Sequence, residues 1–230
     1  MSLARVAVAA LLLVTACRQA PAPKPADRSK PDLFLLTSLP IAWSEEFALD
    51  RPKSAVLSAL EQDYRVTLID LPSQLPKDGL LLAAQPRALP AEELVKLDAW
   101  VRDGGRMLLL ADPMLEWPSD LPLGDKRRPP MAFADTGLLQ HWGLRLDAPE
   151  ERGQARTEVG GRSVLTASPG SLFSQGSDCR VAESRLVGEC LIGRGRATII
   201  ADADFLDVSA DGSENDNLPA LLSQLAGVSR

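Results

Sequence analysis

The sequence predicts an α/β fold in which an open, mostly parallel sheet lies between two layers of helices. Three features predict it: five short apolar runs recur along the chain, a helical pattern separates the third run from the fourth, and another helical pattern closes the chain. Runs that are apolar throughout are typical of parallel strands covered on both faces. Alternation of strands and helices favours a three-layer architecture.

The predicted strands are nearly continuous in apolar residues. They are LFLLTS (33–38), RVTLID (65–70), GLLLAA (79–84), RMLLLAD (106–112) and RATIIAD (196–202). Because none shows a strict apolar-polar alternation, each is expected to be buried on both faces. We therefore expect the five strands to lie side by side in one sheet.

The clearest helix is predicted over 89–105, between the third and fourth strands. Pro90 stands near its start, and an apolar stripe that includes Trp100 marks its buried face. Gly104 and Gly105 then end it, because a left-handed conformation costs least at glycine.

Two more helices are predicted, over 53–62 and over 217–228. Residues 113–195 are rich in Pro, Gly and Ser and interrupt the alternation of strands and helices. We interpret this segment as a β-rich insertion within a single domain of residues 33–230. It is expected to contain one short helix in TGLLQHWG and antiparallel strands around 144–192.

The N-terminal residues 1–16 indicate export. Arg5 precedes an apolar stretch that is too short to span a bilayer and is typical of a signal peptide. The residues Val14-Thr15-Ala16-Cys17 resemble a bacterial lipoprotein cleavage box, in which Cys17 is lipidated and becomes the mature N-terminus. The alternative is an ordinary secretory signal, or a short N-terminal anchor, whose cysteine is incidental.

Residues 17–32 are rich in Pro, Ala and Lys and show no apolar periodicity. Such a segment is a semi-extended tether, which would hold the domain at a membrane through acyl chains. Arg18 stands where an aspartate would suggest retention in the inner membrane. The sequence therefore predicts a lipoprotein that faces the periplasm, with the outer membrane favoured.

The other two cysteines, Cys179 and Cys190, form an even pair in an exported chain. The segment between them alternates as a short hairpin does, which predicts a disulfide across adjacent strands. A zinc site is the competing interpretation, but the single histidine, His141, is distant in sequence and gives poor ligand spacing.

Charge and motifs exclude several functions. The formal net charge of −6 argues against a nucleic-acid-binding surface. The motif GRGR (193–196) enters a strand and does not open a helix, so it is not a phosphate-binding loop. No cofactor is predicted.

Acidic residues cluster where the predicted strands end. Asp112, Asp202 and Asp204 would meet at the carboxyl edge of the sheet, where open α/β folds bind ligands. The same edge would also carry Thr37, Ser38, Asp70 and Gln85. Convergent carboxylates can hold a divalent cation or supply an acid. Aspartates at strand ends also accept hydrogen bonds from backbone amides without any ligand, so both interpretations stay open.

Two stretches carry a resemblance to a known family. LPAEELVKLDAWVRDGGRMLLLADP (89–113) and GRGRATIIADADFLD (193–207), followed by NDNLPALL, resemble the glutamine-amidotransferase-like domains of extracytoplasmic proteins associated with ABC-type transport, including gliding-motility components. The resemblance covers roughly residues 33–112 and 190–228. It implies a class I amidotransferase-like or flavodoxin-like fold and an accessory role with no established reaction.

Amidotransferases that are enzymes place a cysteine on a sharp strand-to-helix turn and a histidine elsewhere. The comparable strand end here reads Leu110-Ala111-Asp112-Pro113, which has no thiol and is restricted by proline. The resemblance thus implies a non-catalytic accessory module that binds a ligand, a transporter or a cell-envelope partner, and the N-terminal pattern predicts that this module is tethered to a membrane. The alternative is a divalent-metal-assisted hydrolase that uses Asp112, Asp202 and Asp204.

Overall fold

The computed structural model describes residues 29–42, 53–207 and 216–229. The predicted signal peptide and most of the predicted tether, including Cys17, lie outside these residues. The strands are β1 Asp32–Thr37, β2 Arg65–Leu68, β3 Leu80–Ala84, β4 Arg106–Leu110, β5 Leu144–Asp147, β6 Gln154–Val159, β7 Arg162–Ala167, β8 Ser171–Ser174, β9 Cys179–Val181, β10 Val187–Ile192 and β11 Gly195–Ile200. The helices are α1 Ala55–Asp63, α2 Ala91–Arg102, α3 Leu138–His141 and α4 Asn217–Val228.

The main sheet contains seven strands in the order β2-β1-β3-β4-β11-β10-β9. The first five pair in parallel, and they are the five strands that the apolar runs predict. β10 and β9 continue the sheet in antiparallel pairing. The prediction of a mostly parallel sheet is therefore confirmed.

Helices cover both faces of this sheet. Every residue of β3 is buried, which requires cover on both sides. α2 packs on one face, where Trp100 Nε1 donates a hydrogen bond to the Pro76 carbonyl oxygen at 2.7 Å. α4 contacts α1 and also β3, β4 and β11, which places these two helices on the other face.

The glycines after α2, Gly104 and Gly105, and those of the GRGR motif (193–196) lie where α2 meets the β10–β11 turn. Arg194 N donates to the Arg102 carbonyl oxygen at 2.9 Å, and Arg196 N donates to the Gly105 carbonyl oxygen at 3.2 Å. A Cβ atom on Gly195 would overlap the carbonyl oxygens of Val101 and Gly105. Glycine is therefore required at Gly195, because a side chain there would separate the two backbones.

The segment predicted as an insertion contributes strands to the main sheet as well as two small antiparallel pairs, β5–β8 and β6–β7. Cys179 lies opposite Cys190 in the β9–β10 ladder, and the two form a disulfide. The predicted hairpin disulfide is thus confirmed. Within the described ranges, no helix has the length and apolar character needed to cross a bilayer.

Candidate functional site at the carboxyl edge of the sheet

The structure brings the three predicted acidic residues together. Asp112 follows the end of β4, Asp202 follows the end of β11, and Asp204 begins a short 3-10 turn. The side chains of Asp112 and Asp202 are fully buried and that of Asp204 is nearly so. Because these side chains are buried, their role depends on which groups contact their six carboxylate oxygens.

Asp112 joins the ends of two neighbouring strands. Its Oδ1 accepts a hydrogen bond from Met114 N at 2.7 Å, and its Oδ2 accepts one from Ala203 N at 2.9 Å. Ala203 lies beyond β11, so the carboxylate continues the β4–β11 contact past the last ladder pair. The Asp112 carboxylate thus links the two strand ends beyond the point where their backbone pairing stops.

Asp202 and Asp204 tie the same edge to the rest of the chain. Asp202 accepts hydrogen bonds from Phe205 N and from Ala167 N, the latter at 3.1 Å and from the end of β7. Asp204 Oδ2 accepts a hydrogen bond from Glu116 N at 2.7 Å. The three aspartates therefore connect the parallel sheet to the β6–β7 hairpin and to the loop after β4.

Burial raises the pKa of all three carboxyl groups. It raises the pKa of Asp112 to about 6 and that of Asp204 to about 7, against the opposing effect of the backbone amides. The pKa of Asp202 is also raised, by burial and then by the negative charge of Asp112. The group is thus less acidic than ordinary aspartates because the charged form is desolvated.

The described residues contain no group of three or more acidic, histidine or cysteine side chains placed to hold a metal ion. Each side-chain oxygen of Asp112 and Asp202 accepts a hydrogen bond from a backbone amide. This geometry favours the interpretation in which strand-end aspartates organise loops.

Other polar residues at this edge follow the same rule. Thr37 Oγ1 donates to the Ala84 carbonyl oxygen at 2.9 Å, and Ser38 Oγ donates to the Gln85 carbonyl oxygen. The Gln85 side chain forms two hydrogen bonds with the Asp112 backbone. Its Oε1 accepts from Asp112 N at 2.9 Å, and its Nε2 donates to the Asp112 carbonyl oxygen at 3.1 Å. A ladder of side-chain bonds therefore runs from β1 through β3 and β4 to β11.

Gln85 has the most informative backbone at this edge. It is fully buried and has a φ of 44°, in the left-handed region that glutamine seldom adopts. It lies directly after β3, and residues 86–90 separate it from α2, whereas a nucleophile elbow passes from strand to helix at the nucleophile itself. The sequence analysis compared the strand end at Asp112 with the nucleophile position, and no residue pattern around Gln85 signals the positive φ.

The remaining candidates for nucleophilic chemistry lie elsewhere. The two cysteines of the described part form the β9–β10 disulfide. His141 is exposed on α3, where its Nε2 lies 3.0 Å from Arg102 Nη2 and 3.7 Å from Asp98 Oδ2. The histidine is therefore not part of the carboxyl edge.

An open apolar cleft adjoins Gln85 on the α2 face. Its volume is about 20 Å³, or about 400 Å³ when the open solvent at its mouth is counted. Its lining residues come from β1, β3, β4, α2 and the segment before α3, and they are Leu36, Ala83, Pro86, Arg87, Leu89, Leu94, Leu97, Met107, Leu109, Phe133, Ala134, Asp135, Thr136 and Leu138. Sequence analysis did not identify this cleft, because its walls are distant in sequence.

Comparison with known proteins gives one family match. Residues 30–150, just over half of the chain, match the family described as ABC-type uncharacterized transport system. No curated protein matches the chain in sequence.

Several solved structures are distantly similar to the chain. They include the exo-β-1,4-mannosidase Op5Man5 from Opitutaceae bacterium strain TAV5, with a TM-score of 0.47, 14% identity and coverage of 87% of this chain and 35% of that one. A β-galactosidase from Bacillus circulans sp. alkalophilus has a TM-score of 0.49, 12% identity and coverage of 86% and 31%. A cytoplasmic protein from Salmonella typhimurium has a TM-score of 0.49, 10% identity and coverage of 86% and 98%. The chain spans about a third of each glycosidase, and likenesses at these TM-scores carry no functional conclusion.

Proposed function

We propose that this chain, which belongs to the ABC-type uncharacterized transport system family, is a non-catalytic accessory module that binds a protein partner of such a system. The family match supports the association with transport. We further propose that Cys17 carries a lipid, which tethers the module to a membrane on the periplasmic side. The cleavage-box pattern at Val14–Cys17 supports this part of the proposal.

The observation that supports the non-catalytic assignment is the backbone conformation and the hydrogen bonding of Gln85. We propose that this residue, which has a left-handed φ directly after β3, corresponds to the position where an amidotransferase would present its nucleophile. Its amide group bonds the Asp112 backbone and the Pro130 carbonyl oxygen, the latter at 3.2 Å, and is fully buried. A side chain used in this way does not reach a substrate, and a carboxamide is not a nucleophile.

The strand order supports the finer fold assignment that the resemblance implies. Numbered along the chain, the five parallel strands stand in the order 2-1-3-4-5, which is the order of flavodoxin-like sheets. We therefore propose a flavodoxin-like or amidotransferase-like sheet whose reactive corner has become a structural junction.

The metal-assisted hydrolase receives no support from the described residues. Asp112 and Asp202 both use their two oxygens as acceptors of backbone amides. No group of three or more acidic, histidine or cysteine side chains in the described part of the chain is placed around a position for a cation. We therefore propose the accessory function alone.

The proposed function is tested by crosslinking the tagged chain in native membranes and identifying what co-purifies. The expected result is recovery of the ATPase or permease subunits of one ABC transporter. A matched Cys17→Ser variant is expected to leave the membrane fraction and to lose the diacylglyceryl mass on its N-terminal peptide. Recovery of no transporter or envelope component, or amide hydrolysis by the purified protein, would overturn the proposal.

A further inference from the structure

We propose that strand β6 is a dimerisation edge, where a second copy of this chain adds its own β6 in antiparallel orientation. The two-stranded β6–β7 sheets of the two copies then form one continuous four-stranded sheet, with a two-fold axis at Thr157. The inference goes beyond the proposed function, because the partner is the chain itself and no transport component takes part.

The outer backbone edge of β6 is the first argument. Leu165 lies opposite Arg156 in the β6–β7 ladder, but its N donates to Asn217 Oδ1 at 2.9 Å and its carbonyl oxygen accepts from Asn217 Nδ2 at 2.8 Å. Arg156 and Leu165 are therefore a non-hydrogen-bonded pair, and by alternation so are Glu158 and Ser163. The N–H and C=O groups of Arg156 and Glu158 thus point away from β7, and no hydrogen bond from another described residue reaches them.

The two edges of this small sheet are treated differently by the fold. On the β7 side, Asn217 bonds Leu165 and the Asp202 carboxylate accepts from Ala167 N at 3.1 Å, so side chains take the place of a further strand. On the β6 side the residues are mostly exposed, with Gln154 and Arg156 among them. One edge is therefore closed and the other is open.

The length and composition of β6 are also unusual for an open edge. Apart from β7, the other edge strands of the described chain have three or four residues, whereas β6 has six. Natural edge strands are commonly kept short or carry proline or lysine, which discourages pairing with another chain. β6 contains neither residue type. It therefore lacks the usual protection against strand addition.

The sequence of β6 is complementary to itself, which selects a second copy as the partner. The open backbone groups lie on even-numbered residues, so hydrogen bonds form only in registers that place even residues opposite even residues. Two symmetric registers of this kind pair five residues of each strand. One sets Arg156 against Arg156 of the second copy. The other sets each Arg156 against Glu158 of the second copy and brings the two Thr157 residues together at the axis.

The charged side chains are available for the second register. Arg156 and Glu158 are exposed, and neither forms a salt bridge with another described residue. They lie two residues apart on one face of β6, so this register forms two ion pairs on that face. Opposite charges directly across a strand pair stabilise it and like charges destabilise it, which favours this register over the first.

The first test is sedimentation velocity of the purified chain from about 1 μM to about 500 μM, a range in which a weak and reversible dimer becomes populated. We expect the mean sedimentation coefficient to rise with concentration from that of a monomer towards that of a dimer. A chain that remains monomeric at the highest concentration would overturn the proposal.

A charge exchange tests whether β6 forms the dimer. Arg156→Glu and Glu158→Arg each place like charges across the axis, and each alone is expected to raise the dissociation constant at least about tenfold. In an equimolar mixture each variant supplies the charge that the other lacks, so dimers are expected to return. Lys77→Glu, a charge reversal at an exposed lysine outside the hairpin, should dimerise as the parent does. All variants are expected to keep the unfolding temperature of the parent. Dimerisation of the single variants at parental affinity, or no recovery in the mixture, would refute the assignment to β6.

Cysteine crosslinking tests the register and the identity of the partner. In a Cys17→Ser background, Thr157→Cys places two thiols in a non-hydrogen-bonded pair at the axis, a separation that a disulfide can bridge. We expect mild oxidation to link this variant to itself, and Ser163→Cys, exposed on β7, to stay largely unlinked. Equal linking of the two variants contradicts the register. Crosslinking of Thr157→Cys in native membranes to a different protein, with none to itself, would show that another chain occupies this edge and would overturn the proposal.

Discussion

At the scale of single residues, the three buried aspartates differ in how many of their oxygens accept backbone amides. Asp112 uses both, whereas Asp204 Oδ2 accepts the bond from Glu116 N. In Asp112→Asn an amide nitrogen must face a backbone N–H, which we expect to destabilise the fold by about 1–3 kcal/mol. Asp204→Asn keeps an acceptor and is expected to cost less. The measurement is urea unfolding at pH 7, and an equal loss in both variants would contradict the prediction.

Gly195 gives a second prediction at this scale. Gly195→Ala forces a methyl group into the carbonyl oxygens of Val101 and Gly105, both of them backbone atoms that side-chain movement cannot clear. We expect a loss of about 1–3 kcal/mol or more in the free energy of unfolding. The matched change Gly227→Ala, in α4 with no neighbour within 4 Å, is expected to be neutral or stabilising. Thermal unfolding of the two variants distinguishes them, and similar stabilities would refute the close-approach explanation.

At the scale of elements, the disulfide holds a short hairpin at the antiparallel end of the sheet. Cys179 and Cys190 pair across β9 and β10, with β9 as the edge strand. Replacing both cysteines by alanine is expected to lower the free energy of unfolding by about 3 kcal/mol, because the loop they close regains its freedom in the unfolded chain. Urea unfolding with and without reductant measures this. Reductant should destabilise only the parent chain, and an unaffected parent would argue against the prediction.

Elements were more predictable from the sequence than their contacts. The helix over 217–228 has the bounds that the sequence predicts, because its apolar periodicity is a local signal, although Asp216 and not Asn217 precedes its first turn. The five parallel strands were likewise evident from their apolar runs. The crowding of Asp112, Asp202 and Asp204 was also predicted, since carboxyl ends of parallel strands share one edge.

The chemistry of that edge could not be read in the same way. The amides that Asp202 and Asp204 accept come from Ala167 and Glu116, which are distant along the chain and were assigned to an insertion. The left-handed conformation of Gln85 is imposed by its buried bonds and not by its own preference. A sequence shows which groups gather, whereas their role depends on which backbone amides reach them.

At the scale of the whole molecule, the buried carboxyl groups predict how stability depends on pH. Their pKa values are raised, to about 6 for Asp112 and about 7 for Asp204, from an ordinary value of 3.8. The folded chain therefore binds more protons than the unfolded chain between about pH 4 and pH 7. The stabilisation that these groups contribute is complete below the unfolded pKa of 3.8, and it is lost as the pH rises through the folded pKa values of about 6 and about 7. We expect the free energy of unfolding to fall by about 2–4 kcal/mol from pH 5 to pH 8.

Variants assign this slope to the carboxyl edge. Asp204→Asn removes one raised pKa while an oxygen remains to accept the Glu116 amide, so it should flatten the pH dependence and be relatively more stable at pH 8. Asp103→Asn removes an exposed carboxylate beside Arg194 and should leave the slope as it is. Urea unfolding of the three proteins at pH 5, 6, 7 and 8 gives the comparison. A stability that rises with pH over this range would mean that the amides around the aspartates outweigh their burial, and that the edge is held by charged carboxylates at every pH of the series.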